Sequence, residues 1–213
     1  MMAARIEVLT HSSIRISGSM GVVYADPFQV KGEPHDADYI LATHDHFDHF
    51  SPDDIRKISK EGTILVIPET MLDKAQEAAD MVQEICCVFP WSKQKIQGLD
   101  VEAVPSYNIG KPFHPKEAGW VGYILTIDGE RIYIAGDTDV NEDNLKVRCD
   151  TALVPVGGKY TMDAAQAAEL INEIRPSVAI PTHYGSVAGK KKDAETFRKL
   201  VREPVKVEII MQY

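Results

Sequence analysis

Thr43-His44-Asp45-His46-Phe47-Asp48-His49 constrains this chain more than any other stretch. It packs three of the chain's seven histidines and two carboxylates into six residues. It follows Tyr39-Ile40-Leu41-Ala42, an apolar run long enough for a buried strand and too short for a helix. It precedes Ser51-Pro52-Asp53-Asp54, which reads as a helix start: Ser51 caps, Pro52 suits the first helical position, and the aspartates favour the positive end of the dipole. Successive residues of an extended chain point to opposite faces, so His44 and His46 project to one side. The turn into the helix can swing Asp48 and His49 to that side as well. Imidazoles with a carboxylate are the donor set preferred by zinc and tolerated by manganese or iron. A solvated polar loop uses the same residue types, but not in alternating register behind a buried strand.

Other apolar runs end in the same way. Tyr24-Ala25-Asp26, Val104-Pro105-Ser106-Tyr107-Asn108, Ile134-Ala135-Gly136-Asp137 and Ile180-Pro181-Thr182-His183 each lead into a polar or histidine-bearing turn. In α/β folds the carboxyl ends of strands gather along one edge, where ligands bind. Asp137 and His183 are therefore expected to converge on the His44 cluster.

Between these tips the pattern alternates. Strands are expected at Ile6–Leu9, Ile14–Ser17 and Val22–Ala25, then at Thr63–Ile67, Leu99–Val104, Val121–Ile127 and Arg131–Ala135, the last two joined by the hairpin signal Asp128-Gly129. Helices are expected over Glu69–Met81, Ala164–Ile174 and Lys191–Arg202, with strands at Ala152–Val156, Val178–Ile180 and Val205–Ile210. Hairpins first and helices alternating later point to α/β, with a mixed sheet or two packed sheets.

Composition narrows the function classes. At 213 residues and 44% hydrophobic content, with no linker or repeat, the whole of 1–213 reads as a single domain. Twenty-three basic against 32 acidic residues leave a net charge of −9, which disfavours nucleic acid as a partner. Cys86, Cys87 and Cys149 make neither a disulfide framework nor a thiolate metal motif, so a reducing compartment is expected. Met1-Met2-Ala3-Ala4-Arg5-Ile6-Glu7 holds no apolar signal core, and no run approaches the ~18 apolar residues of a membrane span. The expectation is a cytoplasmic protein with no membrane partner, whose open sheet edge could pair copies into a homo-oligomer.

T-H-D-H-F-D-H, followed by A-G-D-T and P-T-H-Y-G, resembles the metallo-β-lactamase superfamily. Thr10-His11-Ser12-Ser13, Asp26-Pro27, His114-Pro115-Lys116 and Pro155-Val156-Gly157-Gly158 resemble its branch containing ascorbate-6-phosphate lactonase. The resemblance implies a four-layer αββα sandwich, two mixed sheets flanked by helices, binding one or two divalent metals per chain, zinc or manganese. It implies that His44 and His46 hold a first metal, that Asp48, His49 and His183 hold a second, and that Asp137 bridges them. Asp48 and Asp137 would be the catalytic carboxylates. The superfamily usually brings a third histidine to the first metal from the region where this chain has Tyr107-Asn108. Asn108 offers only an amide oxygen, so the first site is expected to be the weaker; His114, six residues on, could substitute.

The implied activity is that of a metal-dependent hydrolase, in which a metal-bound hydroxide attacks a small-molecule lactone or phosphate-containing ester. His11, Asn108, His114 and Tyr160 are candidate substrate contacts, and Lys111, His114 and Lys116 could recognise an anionic group. His35 reads as a structural residue. The alternatives are a phosphodiesterase or nuclease, or a metal-binding domain with little catalysis because the third histidine is missing.

Overall fold

Alternation decides which way each strand faces. In β4 (Ala37–Leu41), Tyr39 and Leu41 enter one hydrophobic cluster while Ile40 enters another, which Ala37 joins across a register shift. In β5 (Ser59–Pro68), Ile64 and Val66 join the first cluster, Leu65 and Ile67 the second. A strand apolar on both faces needs cover on both sides. The computed structural model describes residues 4–212, so the outermost ends of the expected 1–213 domain lie outside them. It provides that cover with two packed sheets and helices outside each.

The first sheet runs β1 (Arg5–Thr10), β2 (Ser13–Gly18), β3 (Gly21–Ala25), β4, β5 and β6 (Glu84–Val88) in sequence order. The second contains β7 (Lys93–Ile96), β8 (Leu99–Pro105), β9 (Val121–Ile127), β10 (Glu130–Ile134), β11 (Thr151–Pro155), β12 (Val178–Thr182) and β13 (Lys206–Val207), again in sequence order across the sheet. Both are mixed: β1 to β3 and β7 to β10 pair antiparallel, β3 to β6 and β10 to β13 parallel. Ile16, Val23 and Leu41 of the first sheet share a core with Val101, Tyr123 and Leu125 of the second. Helix α1 (Pro52–Ile58) and the segment 69–81, which contains α2 (Leu72–Ala75), bury Ile55, Ile58, Met71, Ala75 and Ala78 against the first sheet's outer face. Helices α3 (Ala164–Ile174) and α4 (Lys191–Leu200) add Leu170, Ile171 and Phe197 to the larger core. This is the αββα arrangement. Among the described residues no helix is long and apolar enough to cross a membrane.

The strand directions decide where chemistry can gather. Two antiparallel steps make β1 parallel to β3, and two more make β8 parallel to β10. Hence His11, Asp26, His44, Asn108, Asp137 and His183 all leave carboxyl ends of strands that point the same way within their sheets.

Four elements depart from the sequence expectation. Glu69–Met81 is broken into a 3-10 turn, the four-residue α2 and a second 3-10 stretch, with no side-chain cap at any start. Its apolar spacing is helical, but the segment follows the sheet surface, and uncapped short helices are marginal. Strands β6 and β7 escape a pattern search because β7, Lys93-Gln94-Lys95-Ile96, is a half-exposed edge strand with the lysines that protect such edges. The expected Val205–Ile210 strand shrinks to Lys206–Val207, because the chain crosses between the sheets there. Glu208 N–H bonds Ala179 of β12 at 3.0 Å, and Gln212 N–H bonds Val8 of β1 at 2.8 Å.

Candidate metal centre

Helix α1 starts where the sequence places it: Ser51 Oγ accepts from Asp54 N–H. Between β4 and that cap the chain turns tightly, with His49 and Phe50 N–H both bonded to the His46 carbonyl. The turn leaves His44, His49 and Asp48 buried. Three sets of donor atoms then lie within 4.8 Å of one another: His44, His46 and His114; His11, Asp48, His49 and His183; and His44, His49 and Asp137. Asp137 touches both sides, its carboxylate 3.3 Å from His49 Nε2, 3.0 Å from His183 Nε2 and 3.4 Å from His114 Nε2. The carboxylate therefore lies between the two groups of histidines.

These atoms fit a divalent cation on their own geometry. His49 Nε2, His114 Nε2, His183 Nε2 and Asp137 Oδ1 are buried without a hydrogen-bond partner. Each unpaired buried polar group costs about 1–3 kcal/mol. His183 Nε2 approaches the Asp137 carboxylate to 3.0 Å without hydrogen-bond alignment.

Residues behind the donors fix which nitrogen faces inward. Asp26 Oδ2 accepts from His49 Nδ1 at 2.7 Å and from Thr43 Oγ1 at 2.8 Å, while Asp26 Oδ1 accepts from Thr43 N–H at 2.8 Å. With its own proton given to Asp26, Thr43 Oγ1 accepts from His44 Nδ1 at 2.9 Å. His114 Nδ1 donates to Asn108 Oδ1 at 2.9 Å, and Asn108 Nδ2 donates to the Tyr160 carbonyl at 2.9 Å. A carbonyl cannot donate, so the amide orientation is settled and His114 must present a bare Nε2. His11 Nε2 lies 3.1 Å from Asp48 Oδ2. Such partners orient a ligating imidazole and fix its tautomer.

The backbone is strained at this edge. His11, Asp26 and His183 adopt φ of 51°, 48° and 55°, the left-handed region that non-glycine residues rarely occupy. Gly157 permits the approach of the His183 strand end: a Cβ there would lie 2.3 Å from the His183 carbonyl oxygen.

Burial works to deprotonate His11 and His114, and both are pushed down to about 4. Burial acts on His49 in the same sense, but Asp137 and Asp26 override it and raise the imidazole to about 9. Burial opposes ionisation of Asp137, yet His183 and His49 keep its carboxyl well below the ordinary range. Without a metal the centre thus holds a protonated His49 beside the ionised Asp137 carboxyl, with His11, His44 and His114 kept neutral by burial.

The donors open into a cavity of about 240 Å³ lined by His46, Phe47, Asp48, Phe113, His114, Asp137, Tyr160, His183 and Val187. Trp120 packs over the first group, its ring centroid 5.1 Å from His44 and His46 and 5.7 Å from His114.

The structure brings together His44, His46, Asp48, His49, Asp137 and His183, the residues the sequence motifs single out. Of the substrate-contact candidates, Asn108 and His11 stand outside the cavity lining, while His114 lines it and lies where the substitute third histidine would. His114 stands among the donor atoms, so the first group has three histidines; Asn108 stands behind it and reaches the cluster only through the His114 ring. His11 lies against Asp48, inside the second group, rather than lining the cavity. Tyr160 does line it. Lys111 and Lys116 are engaged elsewhere, Lys111 with Asp139 at 2.5 Å and Lys116 with Glu142 and Asp143 at 3.2 and 3.3 Å. His35 bonds the Ser59 carbonyl at 2.8 Å, away from the centre. Sequence reasoning did not assign Asp26, Thr43 or Trp120; the signal for Asp26 was its place at a strand tip.

Residues 5–183 match the family model described as a beta-lactamase superfamily domain. A UPF0173 metal-dependent hydrolase of Pyrococcus furiosus is 31% identical, with 97% of this chain and 96% of that one aligned. One of Archaeoglobus fulgidus is 32% identical, with 97% and 95% aligned. Among solved structures, Igni18, a metallo hydrolase of the archaeon Ignicoccus hospitalis, superposes with a TM-score of 0.80 over 98% of this chain and 95% of its own. At 22% identity that likeness concerns the fold alone. Fold, donor geometry and sequence relatives agree, and the chain belongs to the UPF0173 metal-dependent hydrolase family of the metallo-β-lactamase superfamily.

Proposed function

We propose that this protein is a metal-dependent hydrolase acting on a small lactone or phosphate-containing ester. One observation carries the reading: the buried, unpartnered His114 Nε2, His183 Nε2 and Asp137 Oδ1 belong to residues that line one cavity together with Asp48, and the unpartnered His49 Nε2 lies 3.3 Å from Asp137 Oδ1. The donor set suits zinc first and manganese second, imidazole favouring the former and carboxylate the latter. His44, His46 and His114 would hold one ion, His49, Asp48 and His183 the other, with Asp137 between them. A divalent cation there would bring the pKa of water down to around 7 and polarise a carbonyl or phosphoryl oxygen.

The chain's own groups do the rest. Burial disfavours the Asp48 carboxylate, but the hydrogen bond from His11 and the nearby His49 keep its pKa below the ordinary value, so it is available as a proton acceptor. Tyr160 Oη accepts from Lys159 Nζ at 2.8 Å, which leaves the phenol's own proton free to be donated to a substrate oxygen. Phe47 and Phe113 border the same cavity.

A screen of lactones, bis-p-nitrophenyl phosphate and thioesters, with zinc or manganese supplied, tests this. Turnover that disappears in His46→Ala and Asp137→Ala supports a hydrolase. Full metal loading with no turnover of any class would leave a metal-binding domain instead.

A further inference from the structure

Polar chemistry fills the floor of the cavity, and its mouth is apolar. Phe47 is 66% exposed, Val187 40% and Phe113 36%, and all three line the same cavity. Isolated exposed apolar side chains are ordinary, whereas a group converging on one pocket marks a binding surface. Two of them are buttressed. Phe47 sits edge-on against Phe28 with centroids 5.9 Å apart, and Phe113 meets Tyr160 in the same way at 4.7 Å. Each of these two rings thus has an aromatic neighbour at the cavity.

Among the described residues that line the cavity, none is a lysine or arginine. Of the lysines nearby, Lys111 Nζ is tied to Asp139 at 2.5 Å and the Thr161 carbonyl at 2.7 Å. Lys116 Nζ faces Glu142, Asp143 and the Tyr107 hydroxyl. Lys159 lies over the Tyr160 ring with Nζ 4.6 Å from its centroid. An anionic substituent at the mouth would meet the rings of Phe47 and Phe113 and the Val187 side chain, with no lysine or arginine among the lining residues.

We propose that the substrate carries an uncharged aryl or alkyl group beside the scissile bond, seated between Phe47, Phe113 and Val187, and that a free phosphate is not recognised there. This rests on the metal-hydrolase reading and deepens it, in favour of a carboxylic ester or lactone with an apolar substituent.

Hydroxamates test it, because one metal-chelating head can carry tails of different length. With zinc-loaded protein, calorimetry compares acetohydroxamate, benzohydroxamate and octanohydroxamate, with phenyl phosphate as the anionic counterpart. Burying a methylene contributes about a fourfold gain, so partial burial of the tail gives octanohydroxamate about 10- to 100-fold tighter binding than acetohydroxamate. Phe47→Ala and Phe113→Ala should each weaken octanohydroxamate more than acetohydroxamate. Equal affinity across the tail series overturns the proposal while leaving the metal reading intact. Phenyl phosphate binding more tightly than benzohydroxamate, and losing that margin in Lys159→Ala, overturns it as well. If no hydroxamate binds despite zinc loading, the metal-hydrolase reading falls and this inference falls with it.

Discussion

Asn108→Ala removes no metal donor, yet it should weaken metal binding at one of the two groups. The side chain is buried and makes two bonds of 2.9 Å, accepting from His114 Nδ1 and donating to the Tyr160 carbonyl. Without it, His114 Nδ1–H faces no acceptor, and the ring can rotate or shift its proton to Nε2, the atom aimed at Asp137. Loss of a partner behind a ligating histidine typically costs 10- to 100-fold in metal affinity, about 1.4–2.8 kcal/mol. The hydrogen-bond view agrees, since an orphaned buried donor costs about 1–3 kcal/mol. Asn108→Asp keeps the acceptor and makes it charge-assisted while losing the bond to Tyr160, so it should bind within about threefold of wild type. Zinc competition against a chromophoric chelator reads each ion separately. The Ala variant should show one site weakened and the other unchanged, and at saturating zinc its metal-dependent stabilisation should shrink by about the same 1.4–2.8 kcal/mol. If Asn108→Ala binds two ions with wild-type affinity, His114 is not a ligand that Asn108 positions, and the account of the first group is wrong.

Further outcomes follow from the same geometry. His49, raised to about 9, carries a proton at pH 7 that an incoming cation must displace, whereas His11 and His114, near 4, carry none. Metal affinity should therefore rise with pH and level off above about pH 9. Calorimetry at pH 7 should show a heat that depends on the buffer's ionisation enthalpy, and a buffer-independent heat would contradict this. Asp26→Ala strips His49 Nδ1, Thr43 N–H and Thr43 Oγ1 of their acceptor, and breaking such a buried pair costs about 3–5 kcal/mol. Urea unfolding of the metal-free variant reads it, and a loss below about 1 kcal/mol would be too small for a buried network. Gly157→Ala drives a methyl into the His183 carbonyl, 2.3 Å away, a backbone atom that cannot yield as a side chain would. It should lower stability by about 1–3 kcal/mol and weaken the ion held with His183, with thermal unfolding and chelator competition as the paired measurements.

What was legible in the sequence was what adjacent residues decide among themselves. The His44–His49 run sits between an apolar strand and a capped helix, and three neighbours set its register: Ala42 before it, Ser51 and Pro52 after it. Asp137 and His183 were found by a step less local, that parallel strands end on one edge, and the parallel pairing of β10, β11 and β12 satisfies it. The loop from Ser106 to Trp120 has no such rule. Asn108 and His114 become neighbours because Asn108 N–H bonds the His114 carbonyl at 2.8 Å, folding the loop onto itself. That contact has no periodicity and no cap to announce it, so the residue at the superfamily's usual position turned out to orient the histidine six places later. Asp26 illustrates the same limit from the other side. A lone aspartate after a strand is usually a turn former, and its φ of 48° is compatible with that. Only the three-dimensional meeting of β3 with the His49 turn shows that its carboxylate governs which nitrogen His49 turns inward. Donors that must touch the ion are restricted in residue type and so leave a signature. The groups that aim them need only an acceptor in the right place, and many residue types can provide one.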